Sequence, residues 1–174
     1  EMTGALRRRC VGGLREGLES GAGWKKVHAA EALLDLDYQA GVYEAFQEER
    51  AAHAEEPEYR VGVWRVLAQA APTAEERHKW RGRIAAVLAD PGAPDRLHAV
   101  ESLAKLGGPV EGDALEAAET LARSGGDAEA AFAWWALWHS GDTGAEAALA
   151  ALLSSPDPVA RLRAAYALGR EPAL

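Results

Sequence analysis

The feature that most constrains this chain is an internal repeat. The segment His28-Ala-Ala-Glu-Ala-Leu-Leu-Asp-Leu36 matches His98-Ala-Val-Glu-Ser-Leu-Ala-Lys-Leu106 nearly position for position. With Leu33 and Leu103 as anchors, three more segments fall into register: Val63 to Ala70, Ala133 to Ser140, and Ala164 to Arg170. The anchor leucines are then Leu33, Leu67, Leu103, Leu137 and Leu168, separated by 34, 36, 34 and 31 residues. A near-constant period in this range marks stacked two-helix units, none of which buries its apolar face alone.

Within each unit the period is helical. Small or apolar residues recur at i, i+3, i+4 and i+7, as in Ala29, Ala32, Leu33 and Leu36, and again in Ala99, Ser102, Leu103 and Leu106. That stripe is one face of a 3.6-residue helix. A second helix is expected after each anchor helix: Tyr38, Val42 and Phe46; Trp80, Ile84 and Leu88; Leu115, Ala118 and Leu121; Leu149 and Leu152. Thr73 with Glu76 and Thr143 with Glu146 have capping-box spacing, and Asp157-Pro158 reads as an N-cap followed by proline at the first helical position. Pro91 to Pro94, Gly107-Gly108-Pro109 and Ser124-Gly125-Gly126 are breaks. Ten helices and no strand are expected, the first helix spanning about Ala5 to Leu18.

At the last anchor, Asp157-Pro-Val-Ala-Arg-Leu-Arg-Ala-Ala-Tyr-Ala-Leu-Gly-Arg170 resembles the HEAT-like repeats named after the phycobilisome lyases: a capped proline, a basic residue, then Ala-Ala-x-Ala-Leu-Gly. Asp95 to Gly107 is a looser copy. The resemblance implies an all-α fold, a right-handed α-α superhelix (solenoid) of about five two-helix repeats. It would be one domain over residues 1–174, with a leading helix over about 1–20, repeats at 24–54, 57–90, 94–124 and 127–154, and a partial repeat at 156–174. Repeats of this kind occur in scaffolds, in appendages of larger bacterial proteins and in a few enzymes. After Arg170 the pattern calls for a leucine and a second helix, but Glu171-Pro172 follows. Leu162, Ala165 and Leu168 are then left without a covering helix. The chain reads as a fragment of a longer protein, or as a domain that caps itself by forming a homodimer through its uncovered terminal repeats.

Composition narrows the function classes. The net charge of −8 and pI near 5.2 argue against a nucleic-acid partner, which needs clustered Lys and Arg; the basic runs are only Arg7-Arg8-Arg9 and Lys25-Lys26. The same charge counts against a likeness to HEAT-like DNA glycosylases, whose concave face is basic. The one cysteine, Cys10, forms no intramolecular disulfide, which fits a reducing, cytoplasmic compartment. Charges interrupt every apolar stretch, so no segment is expected to insert into a membrane.

Classical catalytic arrangements are missing. A nucleophile reading of Cys10 needs a partner histidine that the sequence does not place, no Gly-x-Ser-x-Gly turn occurs, and the glycine pairs lack phosphate-loop spacing. His28 with Glu31 and His98 with Glu101 are i, i+3 pairs, similar to the His-Glu pairs with which the deoxyhypusine hydroxylases hold two irons. Here Ala29 and Ala99 stand at the second position of each pair, and Gly62 and Arg65 occupy the equivalent places between them. Neither metal nor cofactor is expected.

The column Glu31, Arg65, Glu101, Trp135 and Tyr166 joins equivalent positions of successive repeats. It reads either as a ladder of surface ion pairs or as a recognition stripe ending in two aromatics. Trp64 and Trp134 align with Ala30, Val100 and Ala165, an apolar column, and are expected in the core; Trp135 is expected to be partly exposed beside Tyr166. The sequence thus points to a non-catalytic scaffold for an unidentified protein partner. The alternative is lyase- or chaperone-like binding of a small ligand or chromophore.

Overall fold

The computed structural model describes residues 3–53 and 56–171. Among them are ten α-helices and no strand: α1 (Gly4–Ser20), α2 (Trp24–Asp35), α3 (Val42–His53), α4 (Tyr59–Gln69), α5 (Ala74–Ala89), α6 (Arg96–Leu106), α7 (Gly112–Ser124), α8 (Asp127–His139), α9 (Ala145–Leu152) and α10 (Pro158–Arg170). No helix among the described residues is long and apolar enough to cross a membrane. The chain divides into two compact units, Glu1–Arg81 and Gly82–Leu174, with the boundary inside α5.

In the first unit α1 packs on α2, α2 on α4, and α3 on α4. The anchors Leu33 and Leu67 are fully buried with Val27, Ala30, Phe46, Val63 and Val66. Thr3 opens α1 by accepting a hydrogen bond from the Leu6 N–H, satisfying one of the donors a helix start leaves over. Thr73 does the same for the Glu76 N–H at the start of α5, as its spacing predicts. Tyr38 lies in the turn before α3 rather than in the helix, which begins at Val42.

In the second unit α8 is the inner helix, packed against α6, α7, α9 and α10. Its sequence Ala130-Ala-Phe-Ala-Trp-Trp-Ala-Leu-Trp138 is apolar on every side, which a helix tolerates only when neighbours surround it. Ala130, Ala131, Phe132, Ala133, Trp135, Ala136 and Leu137 are all buried. Anchors Leu103 and Leu137 are buried, whereas Leu168 on α10 is only half-buried. Leu162 and Ala165 are exposed.

The two units share a local device at their anchors. The Leu33 carbonyl accepts from the Tyr38 N–H at 2.9 Å, and the Leu137 carbonyl accepts from the Asp142 N–H at 3.0 Å. Both are the long backward bond that closes a helix through a left-handed residue. That residue is Asp37 (φ 65) after α2 and Gly141 (φ 90) after α8. Residues 104 positions apart (33 and 137) therefore end their helices in the same way.

The start of α9 departs from expectation. Thr143 does not cap it; the helix begins at Ala145, and the Asp142 carboxylate accepts from the Gly144 N–H at 2.8 Å. An Asp two residues ahead makes this short side-chain turn readily and displaces the threonine. By contrast Asp157 caps α10 as expected, accepting from the Val159 N–H at 2.8 Å with Pro158 at the first helical position.

Candidate functional site

The five residues of the column fall in both units. In the first, the Arg65 Nε–H of α4 donates to the Glu31 Oε1 of α2 at 2.5 Å. The His28 ring stands 3.2 Å from the other Glu31 oxygen. Arg65 is 1% exposed, so this pair is not a surface ion pair: the guanidinium is held inside the unit with a carboxylate as partner. A buried charge of this kind is costly without an ion partner, and Glu31 supplies a carboxylate to it.

Beside that pair lies a second polar network, which the repeat pattern does not foreshadow. Lys26 Nζ lies 2.5 Å from Glu49 Oε2, the Tyr59 hydroxyl donates to Glu49 Oε1 at 2.5 Å, and the His53 ring is 3.5 Å from the same oxygen. His53 also meets Glu56 at 2.8 Å. Burial works to raise the Glu49 carboxyl, but the donations from Lys26 and Tyr59 outweigh it and hold the group below 4.5. His53 is raised above 6.5, chiefly by its hydrogen bond to Glu56. Burial and the bond to Glu49 push the Tyr59 hydroxyl strongly upward, so it stays a donor. Trp24 stacks on His28 at 5.9 Å and meets the Tyr59 ring edge-on at 6.0 Å. The absence of a side chain at Gly62 makes this possible, because a Cβ there would come within 2.8 Å of the Trp24 ring.

In the second unit the remaining three column residues come together through residues the sequence did not single out. Glu101 and Lys105 of α6 pair at 2.6 Å, and the Lys105 ammonium lies 5.5 Å from the centroid of the Tyr166 ring. Tyr166 of α10 in turn meets Trp135 of α8 edge-on at 5.7 Å. The Trp135 Nε1–H donates to Glu171 Oε1 at 2.6 Å, and His139 Nε2 meets the same oxygen at 2.6 Å. Burial acts to raise the Glu171 carboxyl, but these two contacts hold it below 4.5. An ionised carboxylate accepts, so Nε2 carries the proton, and the buried Nδ1 of His139 is left without a hydrogen-bond partner.

The tryptophan pair reverses the expected exposure. Trp135 is 2% exposed, and Trp134, expected in the core, is half-buried. What fails is the assumption that a polar column stays open on an inner helix. On α8 that position is covered by Tyr166 from the middle of α10 and by Glu171 just past its C-terminus. Trp64 and Trp80 are buried as expected. Tyr166 remains exposed beside Trp135, at 42%.

No three His, Cys, Asp or Glu side chains among the described residues come together in a group able to hold a metal ion. Lys105 was legible as an i+4 partner of Glu101, and His139 lies one turn after Trp135. Glu171 was not legible, since its role depends on how α10 lies along α8.

Comparison of the chain with protein-family models, curated proteins and solved structures returned no match. Residue roles therefore rest on geometry, which yields two measurable expectations. Trp135→Ala should cost about 3–5 kcal/mol of stability, since it opens a cavity and strips Glu171 of a donor, while Trp134→Ala should cost about 1–2 kcal/mol. Thermal melts in which Trp134→Ala is the more damaging change would contradict the packing.

The second expectation concerns pH. Glu49 is held below 4.5, so its contribution is complete above that value and is lost as pH falls through the lower, folded-state value. His53 is raised above 6.5, so its contribution is complete below 6.5 and disappears as pH rises through the higher, folded-state value. This network therefore stabilises most between 4.5 and 6.5. In melting temperature measured against pH, Glu49→Gln should flatten the acid limb and His53→Gln the limb above 6.5. Limbs unchanged by both substitutions would show that the network does not carry the pH dependence.

Proposed function

We propose that this chain is a non-catalytic protein–protein interaction scaffold of HEAT-like repeats wound as a right-handed α-α superhelix. The observation that carries the reading is Tyr166. The residue is 42% exposed, yet Trp135 meets its ring edge-on and Lys105 lies over the ring face. An aromatic already fixed in place contributes contact area to a partner with little further loss of side-chain freedom. Beside it on α10, Leu162 is 70% exposed and Val159 45%. A fold maintains large exposed apolar side chains side by side at little benefit to itself, so such a patch points to an interaction surface. Most polar contacts in the two clusters join side chains in ion pairs and hydrogen bonds, several of them between helices, which fits a supporting role better than a reactive one.

The test compares wild type with Tyr166→Ala, each immobilised at equal density and exposed to soluble extract of the cells that express the protein. Retained proteins are quantified by mass spectrometry. Tyr166→Ala should keep its fold by circular dichroism and lose about tenfold or more of at least one protein that wild type retains. Identical retained sets would contradict the proposal, and a small molecule held stoichiometrically by the wild-type chain would favour the ligand-binding alternative.

A further inference from the structure

The chemistry of a partner can be read from α10, an inference that rests on the scaffold reading. Val159, Leu162 and Tyr166 stand at i, i+3 and i+7 on the helix, with Ala165 and Gly169 exposed alongside them. Ala160, Ala164 and Ala167, on the opposite side, are buried against the unit. The exposed side is thus a continuous apolar strip about three turns long. It is the kind of surface a second amphipathic helix covers by laying its own apolar face along it.

Charge specifies which helix. The sequence Pro-Val-Ala-Arg-Leu-Arg-Ala-Ala-Tyr-Ala-Leu-Gly-Arg of α10 carries three arginines and no acidic residue, in a chain whose net charge is −8. By helical phase Arg161 lies on one margin of the strip, and Arg163 and Arg170 on the other. Arg161 donates to the carbonyls of Ser155 and Pro156 at 2.7 and 3.0 Å. Arg163 donates to the Ala128 carbonyl at 2.8 Å and lies 4.8 Å from the Phe132 ring centroid. These contacts fix the direction of both guanidinium groups but supply no carboxylate. The acids that flank α10 in the sequence are engaged elsewhere, Asp157 in the cap of α10 and Glu171 with Trp135 and His139.

We propose that the exposed face of α10 is the docking surface for an acidic amphipathic helix of a partner protein. Leu162 and Tyr166 receive its apolar stripe, and Arg161 and Arg163 receive carboxylates flanking that stripe. Pairing α10 with α10 of a second copy would set arginine margins against arginine margins, so charge disfavours self-association through this face.

The test uses two labelled synthetic helices of about 18 residues, long enough to hold helical structure. Both carry a leucine stripe at i, i+3 and i+7; one flanks it with Glu and the other with Lys. Fluorescence anisotropy measures their binding to the full chain, to Leu162→Glu and to Arg161→Glu, all checked for an unchanged circular dichroism spectrum. Sedimentation of the chain alone and with vesicles of anionic phospholipid runs in parallel. The Glu-flanked peptide should bind at least about tenfold more tightly than the Lys-flanked one at low salt, with the gap closing as salt rises. Leu162→Glu should abolish binding, and Arg161→Glu should narrow or reverse the preference. Equal affinity for the two peptides, or no binding of either, overturns the acidic-helix proposal. So does a wild-type dimer that Leu162→Glu dissociates, or vesicle binding that depends on Leu162. The first two outcomes leave the scaffold reading to be judged by the Tyr166→Ala comparison, so the two failures are distinguishable.

Discussion

Everything in the second unit depends on one constraint: α8 is apolar on all sides and has to be enclosed. A helix carrying Phe132, Trp135, Leu137 and Trp138 around its circumference is stable in water only when other helices remove those surfaces from it. Helices α6, α7, α9 and α10 do so. Each of the four needs only one apolar face for this purpose. Their outer faces are therefore released from the packing requirement, and on α10 the released face is itself apolar. The same enclosure explains why position 135 is buried although its equivalents Glu31 and Glu101 are polar and only half-buried.

Polar contacts then fix how α10 lies on α8. At one end the Ser155 hydroxyl donates to Asp127 at 2.5 Å, and Arg163 reaches the Ala128 carbonyl. At the other, Glu171 accepts from Trp135 and His139. A small-residue interface such as Ala160, Ala164 and Ala167 permits close approach but specifies sliding poorly; directional bonds at both ends supply the register. The first unit uses polar groups in the same way. The buried Arg65–Glu31 pair joins α4 to α2, and the Lys26–Glu49–Tyr59 network joins α2, α3 and α4. Such pairs add little net stability but penalise any arrangement that leaves a charge unmatched.

Much of this was legible in the sequence because period and burial share a cause. The anchors Leu33, Leu67, Leu103 and Leu137 recur because each faces the interior of its unit, and all four are buried. Helix starts at Thr73 and Asp157 were readable because capping is a local interaction. Sequence pattern failed where the outcome depends on which neighbour arrives. Trp134 and Trp135 are adjacent, and only the position of α10 decides which one is covered. Glu49 and His53 are one turn apart on α3 and readable as a pair, but Lys26 and Tyr59 reach Glu49 from α2 and α4, and nothing local announces that convergence. Arg65 looked like a surface residue because its column contains glutamates, whereas α4 is enclosed along nearly its whole length from Tyr59 to Ala68.

The central claim is that α8 is enclosed while α10 is covered on one side only. Native-state amide hydrogen exchange, resolved by residue, tests it most directly. Amides of α8 from Phe132 to Leu137 should exchange only when the whole second unit opens. Amides of α10 from Ala164 to Leu168 should exchange faster, by about tenfold or more, through local release of that helix. Equal protection along the two helices, or α8 exchanging before α10, would contradict the claim.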